Sequence, residues 1–218
     1  MSANTEDGKP LLASLVQAGE QQTEAIAITD FVHMAKDISN AYLVNTADGD
    51  VLVNSGFITS TERNKSVFAK ARSGPLKAIV LTQAHPDHYG GVPAFLEPGT
   101  SVIAERRFAD TCAFFNMLDP YIRRRSGKLW ASTIKNRDAL VVPTVTPDVC
   151  VDGRYSFSVG ERQFEVISTP GGEAPDSVVV WMPAERIVFT GNLFGPVFMS
   201  MPNLCTLRGD KPRSARRF

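Results

Sequence analysis

The side chains best suited to chemistry in this sequence lie in one short segment, residues 81–91. Two of the three histidines of the chain, His85 and His88, stand here and bracket Asp87. Neutral imidazole nitrogens and a carboxylate are suitable ligands for Zn²⁺, Mn²⁺ or Fe²⁺. The spacing therefore indicates a divalent-metal site. Taken as composition alone, the same residues also fit a capped polar turn.

The residues that flank this segment predict how it is positioned. Residues 78–81 are wholly apolar, which is typical of a strand covered on both faces. A loop at the end of such a strand can direct several side chains to one point. Gly90 and Gly91 carry no side chain, so the backbone there can turn tightly and a following helix can pack closely.

The rest of the chain shows a mixed pattern of strands and helices. Residues 1–24 are polar and predict an N-terminal arm, followed by one domain over residues 25–218. The order of strands, a helical middle and then more strands predicts an α/β fold with two layers of sheet and outer helices. The predicted strands are 25–28, 41–44, 51–54, 78–81, 101–104, 155–159, 164–167, 178–181 and 187–189. The predicted helices are a short one near residues 11–18, 59–73, one that begins at residues 93–96, and 108–122.

Composition excludes several classes of protein. The 218 residues are 43% hydrophobic and 21% charged, as in a globular domain. Basic and acidic residues number 23 each, which disfavours nucleic-acid binding. The sequence has no apolar run of about 18 residues, and its N-terminus is too polar for a signal peptide. Its three widely spaced cysteines show no disulfide framework, so we expect a cytoplasmic protein.

Residues 83–91 resemble the metal-binding loop of the metallo-β-lactamase superfamily, His-x-His-x-Asp-His followed by Gly-Gly. His85, Asp87 and His88 stand at the second, third and fourth ligand positions of that pattern. Gln83 replaces the first histidine, and its amide oxygen is a weak ligand for zinc. The resemblance therefore implies His85, Asp87 and His88 as metal ligands, at one metal site rather than two.

Two more segments resemble the alkylsulfatase branch of this superfamily. Residues 168–177 are similar to a Thr-Pro-Gly-His turn in which glutamate takes over as the metal ligand, and this implies Glu173 as a ligand. Residues 37–40, Asp-Ile-Ser-Asn, resemble the same branch.

In two other segments, asparagine stands where the family pattern has an aspartate. Residues 188–194 resemble the Phe-Thr-Gly-Asp stretch that supplies a bridging carboxylate, and Asn192 replaces that carboxylate with a neutral amide. Residues 53–56, Val-Asn-Ser-Gly, stand where many members carry Asp-x-Gly.

The resemblance implies an αβ/βα four-layer sandwich with the site at the loop ends between its two sheets. No histidine follows His88 where the family usually has a final one, so we expect the C-terminal strand and helix to be missing. An uncovered sheet edge and apolar face in such a chain predict either a homodimer or an unstable protein.

The implied reaction is hydrolysis of a small-molecule ester by a metal-bound water, with zinc as the first candidate metal and manganese or iron as alternatives. Candidate bonds are a sulfate ester, a carboxylic ester, a lactone and a thioester. Asp87 is the catalytic candidate, because it can orient or deprotonate the water. Gln83, Tyr89 and Asn192 are candidate contacts to water or substrate, although Tyr89 also fits a packed aromatic. The competing function is a catalytically degenerate member that binds a small ligand or a partner protein.

Overall fold

The computed structural model describes residues 19–129 and 140–193. Most of the predicted N-terminal arm, residues 1–24, therefore lies outside the described residues. Among the helices of the described part, none is both long and apolar enough to cross a membrane.

A seven-stranded mixed sheet forms the centre of this part of the chain. Its first strands are antiparallel neighbours and its last four run parallel. The apolar run predicted as a doubly covered strand is β5, which is buried at every position except Lys77. In chain order and in spatial order the strands are β1 (Ile26–Ala27), β2 (Val32–Ala35), β3 (Ala41–Thr46), β4 (Gly49–Val53), β5 (Leu76–Val80), β6 (Ser101–Glu105) and β7 (Val149–Val151).

A four-stranded antiparallel sheet follows in the sequence. Its spatial order is β11-β10-β9-β8, so each strand pairs with its neighbour in the chain. The two predicted strand pairs between residues 155 and 189 are thereby confirmed. The strands are β8 (Arg154–Val159), β9 (Arg162–Ser168), β10 (Val178–Met182) and β11 (Ile187–Phe189).

The helices differ from the sequence prediction in two places. The single helix predicted over residues 108–122 is two helices that meet at Leu118. Pro120 explains the break, because proline has no N–H to donate and its ring clashes with the preceding helical turn. Residues 82–91, predicted as a loop, contain a short helix. The helices are α1 (Thr61–Ala69, after the 3-10 turn Ile58–Ser60), α2 (Pro86–Tyr89), α3 (Val92–Phe95), α4 (Phe108–Met117) and α5 (Asp119–Leu129).

Two buried apolar clusters lie on opposite faces of the seven-stranded sheet. One joins the sheet to the helices, with Phe68, Phe95 and Phe108 against its strands. The other joins the two sheets, where Phe164 and Val180 of the second sheet contact the first. Within residues 19–129 and 140–193 the helices contribute only to the first cluster. The structure therefore describes three layers of the predicted sandwich: helices, large sheet and small sheet.

Candidate metal centre

The loop that follows β5 brings three predicted ligands together. His85 precedes α2 in an extended conformation (φ −82°, ψ 138°), and Pro86 begins the helix. Because proline suits the first helical position, the short helix starts there and places Asp87 and His88 in its first turn. The candidate ligand atoms of His85, Asp87 and His88 all lie within 4.8 Å of one another.

His88 is fully buried and is held by two hydroxyl groups. Its Nδ1 lies 2.9 Å from Thr82 Oγ1, and its Nε2 lies 2.9 Å from Ser39 Oγ. Burial lowers the pKa of His88 to about 4, although the neighbouring Asp87 opposes this shift. The ring is therefore neutral near pH 7, which is the form that binds metals.

Asp87 lies beside this ring and shares the same serine. Its Oδ2 accepts a hydrogen bond from the Ser39 hydroxyl and lies 3.8 Å from His88 Nε2. Burial opposes ionisation, but His88, His85 and the Ser39 hydroxyl together hold the pKa of the Asp87 carboxyl group below its ordinary value. Asp87 is therefore a carboxylate near pH 7.

Gln83, from the same loop, and Glu173, from another segment, both approach His85. The Nε2 of Gln83 lies 2.5 Å from His85 Nδ1, and the Gln83 side chain is only 1% exposed. Glu173, in the loop between β9 and β10, places Oε1 3.9 Å from the same Nδ1. The structure thus places the predicted ligand Glu173 close to His85. Gln83 contacts the same histidine.

The predicted contact residues Asn192 and Tyr89 differ in what the structure shows of them. A side chain on Gly191 would approach Thr82 Oγ1 to 2.8 Å, so the backbone next to Asn192 packs against the start of the loop. Tyr89 is buried, packs edge-on against Phe108 at 5.3 Å and is hydrogen-bonded to Cys112. Core packing accounts for these contacts of Tyr89, and the proposed contacts of both residues with water or substrate remain predictions.

The glycines after α2 allow another strand end to approach the site. A side chain on Gly91 would lie 2.6 Å from the Ser55 carbonyl oxygen, and one on Gly90 would lie 2.6 Å from Ile58 N. In return, Ser55 N donates to the His88 carbonyl at 2.8 Å. Gly90 and Gly91 therefore let residues 55 and 58 approach closely, and this packing anchors the helix that carries His88. Close packing of the helix that follows the glycines stays a prediction.

The segment 37–40 reaches the site through Ser39, which was not among the predicted site residues. The turn is fixed by buried Asp37, which accepts hydrogen bonds from Phe57 N at 3.0 Å and Asn64 Nδ2 at 2.9 Å. The resemblance of residues 37–40 to the alkylsulfatase branch was the signal that could have identified Ser39.

Asp176, which lies close to His85, is a second residue that was not predicted from the sequence. Its carboxylate is fully buried, and neither oxygen has a hydrogen bond of normal geometry within the described residues. Burial raises the pKa of Asp176 to about 6, while His85, the Ala84 N–H and the Thr111 hydroxyl oppose the shift. Nothing in the local sequence distinguishes this aspartate from one on the surface.

Asp176→Asn should stabilise the metal-free protein near neutral pH. A folded-state pKa of about 6 against an ordinary value of 3.8 means that the folded protein binds this proton more tightly than the unfolded chain. The native carboxylate therefore removes stability as the pH rises through this interval, and the variant should gain about 1–3 kcal/mol at high pH. Urea unfolding with a chelator present, at about pH 7.5 and about pH 4, measures this. An equal gain at both pH values would contradict the assignment.

An aromatic surface adjoins the candidate ligands. The Phe115 ring of α4 lies 5.1 Å from the His85 ring, and the Phe114 ring lies 5.8 Å from that of Phe115. Met117, farther along α4, is 71% exposed, and Tyr121 of α5 is 48% exposed. The site therefore has a wall that can contact an apolar group.

Comparisons with known proteins agree with this geometry. The profile of the metallo-beta-lactamase superfamily matches residues 35–215. The chain is 26% identical over 219 residues to the alkyl/aryl-sulfatase BDS1 of Saccharomyces cerevisiae. The alignment covers 88% of this chain and 33% of that protein. The chain is also 26% identical over 195 residues to a linear primary-alkylsulfatase of a Pseudomonas species, covering 78% of this chain and 36% of the relative.

Among solved structures, the sec-alkylsulfatase Pisa1 from Pseudomonas superposes with a TM-score of 0.74 at 19% identity, covering 99% of this chain and 41% of that one. This likeness concerns the fold. The chain spans about a third of the length of the curated relatives that it matches, 33% and 36%.

Proposed function

The chain belongs to the metallo-beta-lactamase superfamily, and from this premise we propose that it is a metal-dependent hydrolase of an ester-type bond. The observation that carries the proposal is the convergence of the candidate ligand atoms of His85, Asp87 and His88 within 4.8 Å. Relatives named as alkylsulfatases make a sulfate ester the first candidate substrate. A carboxylic ester, a lactone and a thioester remain the other candidates.

The chemistry of the donor set fits a divalent cation. Imidazole nitrogens and carboxylate oxygens suit zinc first, and manganese or iron as alternatives. His85, Asp87, His88 and Glu173 would hold one metal, and the replacement of two expected ligands by Gln83 and Asn192 supports one site rather than two. When bound, the cation would act as a Lewis acid that acidifies water and polarises the substrate oxygen.

The side chains of this chain supply the remaining functions. Asp87, ionised near pH 7, orients the attacking water and accepts its proton. Gln83 and Asn192 offer amide groups that hydrogen-bond water or substrate. Phe114 and Phe115 offer the apolar part of the substrate a surface beside His85, and by excluding water they strengthen the electrostatic interactions of the site.

One observation favours the second candidate, a ligand-binding or protein-binding module without catalysis. The Gln83 amide lies 2.5 Å from His85 Nδ1, so a metal at that nitrogen has to displace an existing contact. Such a module would keep the fold and the aromatic surface beside His85, but it would bind no metal.

The proposed setting of the protein is the cytoplasm, with a small-molecule substrate. The free thiols of Cys112 and Cys150 support a reducing compartment. Homodimer formation stays a prediction that sedimentation would test.

Metal loading and hydrolysis, measured on the same sample, test the proposed function. Protein stripped with a chelator is given zinc, manganese or iron(II), and bound metal per chain is measured by elemental mass spectrometry. A medium-chain alkyl sulfate, a carboxylic ester, a lactone and a thioester are then assayed with the stripped protein as control. We expect about one metal per chain and metal-dependent hydrolysis of the sulfate ester. The absence of bound metal would exclude the proposed enzyme and favour the binding module, and metal binding without hydrolysis of any of these esters would overturn the proposed activity.

A further inference from the structure

We propose that Asn54 and Thr82 are positioning residues that fix the tautomer of His88, so that its Nε2 carries no proton and faces the metal position. Neither residue was predicted as part of the site. The inference rests on the proposed function in one respect, since it takes His88 to be a metal ligand.

The Asn54 side-chain amide has one orientation that its hydrogen bonds allow. The backbone N–H of Thr82 donates to the side chain of Asn54 at 2.9 Å. An N–H can donate only to an acceptor, so the amide atom at this position is the oxygen, Oδ1. The Thr82 hydroxyl lies 3.0 Å from the same oxygen. Because Oδ1 has no hydrogen, the single hydroxyl hydrogen of Thr82 is donated to Asn54.

The donation of this hydrogen to Asn54 determines which nitrogen of His88 is protonated. Thr82 Oγ1 lies 2.9 Å from His88 Nδ1 and has only lone pairs left to offer there. His88 Nδ1 must therefore carry the proton. In the neutral ring the other nitrogen, Nε2, is then an unprotonated acceptor.

His88 Nε2 shares a neighbouring hydroxyl group with Asp87. The Ser39 hydroxyl lies 2.9 Å from it and also hydrogen-bonds Asp87 Oδ2, while these two acceptors are 3.8 Å apart. Ser39 has one hydrogen for two acceptors. His88 Nε2 and Asp87 Oδ2 therefore present more lone pairs than the Ser39 hydrogen can satisfy, and a bound cation would satisfy them. The relay Asn54–Thr82–His88 contributes the lone pair on Nε2.

Both sheets hold the relay in place. Asn54 directly follows β4 and is buried with a left-handed backbone (φ 60°), a conformation that asparagine adopts more readily than most residues. Thr82 follows β5, and its carbonyl accepts from Val178 N of β10 at 2.9 Å. Gly191, after β11, packs against its hydroxyl. A network anchored at four strand ends leaves the Thr82 hydroxyl little freedom to rotate.

Nitrogen NMR of ¹⁵N-labelled histidine in the metal-free protein tests the relay directly. Near neutral pH the unmodified protein should show His88 as the Nδ1–H tautomer, and His33→Gln helps to assign the three rings by removing one of them. An Nε2–H tautomer would overturn the proposal. This readout needs neither metal nor activity, so it can fail or succeed independently of the proposed hydrolase.

Variants at Thr82 then connect the tautomer to metal affinity. Thr82→Val keeps the shape but removes the hydroxyl, and it should mix the His88 tautomers and weaken zinc binding about tenfold to hundredfold, the usual effect of losing such an outer partner. Thr82→Ser keeps the hydroxyl and should restore both the tautomer and most of the affinity. Unaltered tautomer and zinc affinity in Thr82→Val would overturn the proposal. Failure of the unmodified protein to bind zinc would overturn both the proposed function and the assignment of His88 as a ligand.

Discussion

His85→Ala should bind no stoichiometric metal and should lose hydrolysis by more than about a hundredfold. Loss of an outer partner of a metal ligand commonly costs tenfold to hundredfold in metal affinity or activity, and removal of the ligand itself should cost more. His85 is also the residue at which Gln83 and Glu173 meet, with contacts of 2.5 Å and 3.9 Å to its Nδ1. Its removal therefore takes away a ligand and the group that organises two neighbours.

His33→Ala is the matched control for this experiment. His33 lies on β2 and its Nε2 is 2.8 Å from Asn45 Oδ1, so its partner lies in the neighbouring strand β3. Metal per chain and kcat/KM are measured for both variants alongside far-UV circular dichroism. His33→Ala should keep both values near those of the unmodified protein. Retained metal and activity in His85→Ala would reject the proposed centre.

Asp50→Ala should cause a large loss of stability, although Asp50 lies outside the site. Asp50 is fully buried on β4 and accepts hydrogen bonds from Ser73 Oγ at 2.6 Å, Asn45 Nδ2 at 2.8 Å and Arg72 Nε at 3.1 Å. Removing one partner of such a buried pair leaves the others without their acceptor and commonly costs about 3–5 kcal/mol. Because Arg72 keeps Glu97, with an N–O distance of 2.6 Å, we expect a loss near the lower end of that range.

Asp152→Ala is the control for the charge that Asp50→Ala removes. Asp152 is 74% exposed and pairs with Arg106 at 3.3 Å, so its loss should change the free energy of unfolding by less than about 0.5 kcal/mol. Urea unfolding of the metal-free proteins, followed by circular dichroism, measures both. Similar losses in the two variants would show that the buried network around Asp50 contributes no more than an exposed ion pair.

Local patterns were sufficient for most of the fold. The hairpin of β3 and β4, the antiparallel pairs of the second sheet and the buried strand β5 follow from short apolar runs and turn residues, which act between neighbours in the chain. One wrong prediction had a local cause, because Pro120 divides the helix predicted over residues 108–122.

The sequence by itself determined the type and spacing of the ligands His85, Asp87 and His88, because all three lie in one loop and its first helical turn. Only the tertiary structure decided which groups complete the site. Ser39 and His88 are 49 positions apart, and Asn54 and Thr82 are 28 apart. Asp176 joins them from a loop of the other sheet. The physical reason is that a residue's type gives its donors and acceptors, whereas the packing of distant strand ends decides which donor meets which acceptor and therefore which nitrogen of His88 carries the proton.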